Sequence, residues 1–161
     1  MNDWQRQTDA WRAEVQDWHP TPDGLDSAGY LATETGEALD SALRLKRPHD
    51  DRTNGHRRNL GRELAQVVDM TCTVGNVYGV TIDDTWNTWR DQQNGFRAVC
   101  QMHIYGANVL RYVLGGARSK VLLAETLAFT LCAARAAASA YGIDLQAEID
   151  AWHDTVRSRR P

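Results

Sequence analysis

A chain of 161 residues, 42% hydrophobic and 24% charged, is long enough to bury the core of one globular domain. A formal net charge of -3 gives no whole-chain attraction to a nucleic-acid polymer, so that class of partner is not expected. Three cysteines, Cys72, Cys100 and Cys132, have no disulfide-framework or metal-ligand spacing. They read as core thiols of a reducing compartment, and a cytoplasmic location is expected.

Helical periodicity recurs along the chain and β-branched alternation is almost absent, which predicts an all-α bundle of about seven helices in one domain, residues 1–161. The first helix runs from about Asp3 to Trp18 and is closed by His19-Pro20-Thr21-Pro22, because proline disfavours helical geometry in the residue before it. It is polar and amphipathic, unlike a secretion signal. Its Trp4, Trp11 and Trp18 share a face and read as a packing seam. The second helix starts near Asp26 or Ser27, both good caps, and ends before Pro48. After a loop to about Arg58, with a turn at Asn54-Gly55, a third helix spans Asn59 to Tyr78 and stops at Gly79. A fourth lies between Thr81 and Asn94, a fifth over Phe96 to Leu114, a sixth over Ser119 to Tyr141, and a seventh from Asp144 to about Arg159. The run from Val121 to Tyr141 is the most apolar, yet it carries Glu125 and Arg135 and reads as a buried helix, so no membrane partner is expected. YGVTIDDTWNTWRD aligns on YGIDLQAEIDAWHD, pairing Trp89 with Trp152 and Asp91 with Asp154. This weak repeat suggests two related three-helix units.

Projection at 100° per residue locates an unusual group of acids. On the second helix the apolar stripe is Leu31, Ala38, Ala42 and Leu45, with Glu34 near its centre and Glu37 at its border. On the third the stripe is Leu60, Val67, Met70, Val74 and Val77, with Glu63 in its middle. A carboxylate there is costly without a partner. Two helices packed through these faces would gather Glu34, Glu37 and Glu63, and like charges held together raise each other's pKa or call for a cation. An all-oxygen group suits Mg²⁺. Arg44, Lys46, Arg47, Arg52, Arg57, Arg58 and Arg62, with His49 and His56, crowd the neighbouring helix ends and loop. Cations beside a metal-binding acid cluster are what a polyphosphate requires.

LATETGEALDSAL followed by GRELAQVVDMTCTVGNVYGV resembles the all-α nucleoside triphosphate pyrophosphatase superfamily, which contains MazG and the dimeric dUTPases. Its signature is EExxE followed by ExxD on two helices. Glu34 and Glu37 match the outer acids of ExxE, and Glu63 the first acid of ExxD. The resemblance implies a MazG-like bundle and Mg²⁺-dependent hydrolysis of a nucleoside triphosphate to the monophosphate and pyrophosphate, with Mn²⁺ as an alternative ion. Glu34, Glu37 and Glu63 would be the catalytic acids, in a metal-binding unit of about residues 1–95. The second unit, about 96–161, is degenerate, since the fifth helix has no acid.

Thr33 stands where the family has the leading acid, and Gln66 where it has aspartate. Gln66 could offer a carbonyl ligand, and Asp69, one turn on, could reach a second ion. Arg44, Lys46, Arg47, Arg57, Arg58 and Arg62 are the expected phosphate contacts, and His103, Tyr105 and Asn108 the base contacts. Glu125 reads as a buried partner of an arginine or tyrosine. A homodimer is the default assembly because family members usually dimerise. The two departures keep a second expectation open, a catalytically degenerate nucleotide-binding or regulatory relative.

Overall fold

A computed structural model describes residues 2–47, 53–83, 94–116 and 119–160, and the described residues contain helices and connecting turns. The helices are α1 (Asp3–Val15), α2 (Gly24–Leu45), α3 (Thr53–Val77), α4 (Gly95–Leu114), α5 (Lys120–Tyr141) and α6 (Leu145–Arg157). The all-α reading therefore holds, with six helices among the described residues. The additional helix expected between Thr81 and Asn94 falls almost wholly on residues 84–93, outside the described residues, and so do Trp89 and Asp91 of the sequence repeat.

Local chemistry explains where the helices begin and end. α1 stops at Val15, short of Trp18, and its last carbonyl accepts from the N–H groups of Trp18 and His19 before Pro20. α2 starts earlier than expected because Asp23 is the cap: its carboxylate accepts from the Asp26 N–H at 2.9 Å. Ser27, the alternative cap, instead donates its hydroxyl to the Pro22 carbonyl at 3.1 Å. α3 also starts early, at Thr53, with Asn54 and Gly55 inside it. A helical glycine costs about 1 kcal/mol relative to alanine, and the burial of His56 and Leu60 in the next turns offsets it. At the far ends of α3 and α5 the two Tyr-Gly pairs adopt the same cap. Gly79 and Gly142 are left-handed, at φ of 59° and 60°, and the N–H groups of Val80 and Ile143 reach back to the Gly75 and Ala138 carbonyls.

α3 is the central element. It packs along α2 and also meets α1, α5 and α6, while α2 and α4 pack together and α4 lies along α5. Leu31, Ala38 and Ala42 of α2 and Leu60, Val67, Met70 and Val74 of α3 are buried, as their periodicity predicts. Leu45 is half-buried and Val77 43% exposed, each being the last residue of its helix. α5 is long and apolar enough to cross a bilayer, and 61% of its most apolar window is buried inside the bundle. Glu125 on α5 is half-buried. No disulfide joins the cysteines, and Cys72 and Cys132 are buried.

The tryptophan seam joins α1 to α6. Trp11 is buried with Val15 against Val156, flanked by Trp18 and Trp152, and its ring stacks on His153 at 4.2 Å between centroids. Trp4 lies under Arg135 and donates its indole N–H to Gln146 at 2.9 Å. These tryptophans are packing elements, as their spacing suggests.

Candidate metal and phosphate site

α2 and α3 present their acids to one another. Glu34, Glu37 and Glu63 each offer a carboxylate oxygen, and these oxygens lie within 4.8 Å of one another. Glu63 is buried, Glu34 half-buried and Glu37 exposed, so the group runs from the interior to the surface. Arg62 donates through Nη2 at 2.7 Å and Nε at 3.2 Å to Glu63 Oε1, while Gln66 Nε2 donates to Glu63 Oε2 at 2.9 Å. Gln66 thus faces the acids, presenting its amide nitrogen to them. Glu34 Oε2 is buried and has no hydrogen-bond partner.

Burial, then the negative charges of Glu63 and Glu37, push the Glu34 carboxyl up to about 8, against a smaller opposing effect of Arg62. The metal-free protein therefore holds Glu34 protonated at neutral pH. A group whose folded pKa is raised contributes stability below its unfolded value of 4.5 that is lost as pH rises to about 8. Asp69, raised to about 6, and His153, lowered to about 4, complete their titration at lower pH. The melting temperature of the metal-free protein should consequently fall between about pH 7 and 8, and Glu34→Gln should flatten that segment. Melting curves in EDTA across this range check it; an unchanged slope in the variant would assign the dependence to another group.

A cavity of about 550 Å³ opens beside the acids, with α3 on one side and α6 on the other. Glu37, Arg58, Arg62, Glu63 and Gln66 line it from α2 and α3, and Glu148, Trp152, Thr155 and Arg159 from α6 and its C-terminal end. A side chain on Gly61 would come within 2.8 Å of the Glu148 carboxylate, so the glycine lets α6 bring that acid close to the α3 backbone. A shallower groove with Thr33, Asp40 and Arg44 lies along α2 and shares Glu37 and Glu63.

The other expected contacts divide. Arg58 and Arg62 line the cavity, and Arg44 lines the groove while paired with Asp40 at 2.5 Å. Arg47 is exposed at the end of α2, Lys46 sits 4.0 Å over the Phe96 ring, and Arg57 donates to the Gly142 carbonyl. Arg52 and His49 lie outside the described residues. Asp69 does not join the acids: it is fully buried, accepts from Arg12 at 2.7 Å, and receives the Trp152 indole N–H at 3.5 Å. Its expected role as a ligand gives way to that of an interior ion-pair partner. Nor do the expected base contacts line the cavity. His103 Nδ1 lies 3.3 Å from the Thr35 hydroxyl, Tyr105 stacks on Phe129 at 5.2 Å, and Asn108 is half-buried on α4.

The α6 wall was missed by sequence reasoning. Glu148, Trp152, Thr155 and Arg159 follow a helical face, but nothing in their spacing names the helix they oppose. Comparison with protein-family models, with characterised proteins and with solved structures finds no match to this chain.

Proposed function

We propose that the protein is a Mg²⁺-dependent nucleoside triphosphate pyrophosphohydrolase. The observation that carries this reading is the convergence of Glu34, Glu37 and Glu63 on one point beside an arginine-lined cavity. The likeness of their ExxE and Glu63 spacing to the all-α pyrophosphatase superfamily supports it. The donor set fits a hard divalent cation: all three groups are oxygen donors, one buried oxygen of Glu34 is unpartnered, and Glu34, raised first by burial and then by the charges of Glu63 and Glu37, sits where added positive charge is favoured. Glu34, Glu37 and Glu63 would hold the ion, which when bound supplies positive charge to phosphate oxygens and acidifies water.

The remaining steps belong to the chain's own side chains. Arg58 and Arg62 offer guanidinium donors to the polyphosphate, and a fork of donors suits phosphate geometry. Arg62 also holds Glu63 in place through its two hydrogen bonds. Gln66 restrains the second Glu63 oxygen. The Gln66 amide, a neutral donor where the related pattern has a carboxylate, also favours a second reading, a degenerate member that binds nucleotide without cleaving it.

Release of monophosphate and pyrophosphate from a panel of ribonucleoside and deoxynucleoside triphosphates, with Mg²⁺ and with EDTA, tests the proposal. Mg²⁺-dependent formation of both products in equal amounts is expected. Binding without turnover would select the degenerate reading, and neither binding nor turnover would overturn both. Gln66→Asp should tighten Mg²⁺ binding, because a full charge replaces a neutral amide at a hard-cation site. It should also lower the stability of the metal-free protein by removing a hydrogen bond and adding repulsion. Calorimetric Mg²⁺ titration and melting in EDTA read the two effects, and weaker Mg²⁺ binding would place residue 66 outside the ion's reach.

A further inference from the structure

Among the described residues, one aromatic side chain lines the cavity, and it comes from α6. Trp152 is half-buried there, facing the same space as Glu63, Gln66, Arg58 and Arg62. Its indole N–H is directed at the buried carboxylate of Asp69 at 3.5 Å, and Asp69 is itself held by Arg12 at 2.7 Å. This places the ring between α3 and α6 and ties its polar edge to the interior. Asp69 and Glu63 lie on the same helix, and their separation along α3 corresponds to a rise of about 9 Å. A flat apolar surface therefore stands within reach of the acids, with Gln66 between them and Arg62 and Arg58 beyond Glu63 toward the start of α3. Neither the polyphosphate nor the ion has a use for such a surface, whereas every nucleobase has a π-face that stacks on one.

From this geometry we infer that Trp152 is the platform on which the base of the nucleotide stacks, with the triphosphate running from it toward Glu63 and on to Arg62 and Arg58. This rests on the nucleotide reading of the site and deepens it, since it moves base recognition from α4 to α6. Stacking on a single aromatic face tolerates any base. The platform accordingly supplies affinity for nucleotides over bare polyphosphate, and base preference is weak unless Glu148, Thr155 or Arg159 reads the base edge. The cavity volume of about 550 Å³ lies within the usual range of small-molecule sites.

The test compares the unmodified protein with Trp152→Phe and Trp152→Leu by calorimetric titration in Mg²⁺. The probes are α,β-imido analogues of the deoxynucleoside triphosphates and inorganic tripolyphosphate. Both variants lose the bond to Asp69, so they should share a similar drop in melting temperature, but only Trp152→Leu loses the aromatic face. It should weaken imido-nucleotide binding by roughly tenfold to a hundredfold, the range for loss of one base–aromatic stack. Tripolyphosphate should bind all three proteins alike, and Trp152→Phe should keep nucleotide affinity within a few-fold. Nucleotide binding by Trp152→Leu as tight as in the unmodified protein would overturn the platform, as would equal loss of both probes in both variants. If the unmodified protein binds tripolyphosphate as tightly as any nucleotide, the platform fails while a polyphosphate site stands. If it binds neither probe, both proposals fall.

Discussion

Replacement of Glu63 by glutamine is expected to abolish nearly all activity while leaving the metal-free fold almost as stable as before. Two structural readings of a buried glutamate make opposite forecasts. If its partner were a buried arginine, neutralising Glu63 would strand that charge in the interior at a cost of about 3–5 kcal/mol. The partner is Arg62, whose side chain is 59% exposed and turns to solvent when released. An ion pair with one exposed member is worth about 0–1 kcal/mol, and loss of one negative charge relieves Glu37. The Glu63→Gln protein should therefore melt within a few degrees of the parent in EDTA. Mg²⁺ at ten times its Kd should raise the parent's stability by about 1.4 kcal/mol, and the variant's far less. Activity should fall by more than the roughly 10–100-fold that loss of an outer partner of a metal ligand costs. A variant that melts many degrees lower and responds to Mg²⁺ as the parent does would defeat the metal-site reading.

Asp69→Asn should do the reverse. Asp69 and Arg12 form a pair with side chains 0% and 6% exposed, the one fully interior ion pair among those described. Burial raises the Asp69 carboxyl to about 6, with the Arg12 charge and the bonds from Trp152 and Arg12 holding it lower than burial alone would. Arg12 Nε and Nη1 have no other hydrogen-bond partners, so the guanidinium depends on this carboxylate. Removing the charge leaves it buried and unpaired, at a cost of about 3–5 kcal/mol. That corresponds to a fall of about 6–20 °C in melting temperature for a chain of this size. The loss should be the same in EDTA and in Mg²⁺, because Asp69 lies outside the acid group. A destabilisation that Mg²⁺ abolishes, or a loss of Mg²⁺ affinity in a stable variant, would return Asp69 to the ligand set.

Both forecasts turn on partners that no single segment of the chain names. Periodicity placed Glu34 and Glu63 on apolar faces, and their meeting followed from those two faces seeking each other. For Asp69 the same periodicity was misleading: it sits one turn beyond Gln66 and could be drawn toward the acids, yet α1 lies against α3 and Arg12 takes it. Lys46 and Arg57 were grouped with the phosphate contacts by proximity in sequence, but Phe96 and the Gly142 carbonyl take them instead. His103 and Tyr105 were polar positions on the right helix but turn to Thr35 and Phe129.

The sequence by itself determined the helical class, most helix ends, the interior faces of α2 and α3, and the three acids. Those properties depend on residues a few positions apart, where the backbone geometry of a helix is known in advance. Only the tertiary structure decided which helix closes the cavity, which arginines reach it and which carboxylate is spent on the interior. These depend on contacts between elements distant in the chain. The pairing of α6 with α3, which brings Glu148 over Gly61 and Trp152 to Asp69, is set by the fit of whole packed faces, including the stacking of Trp11 on His153, and leaves no local pattern to read.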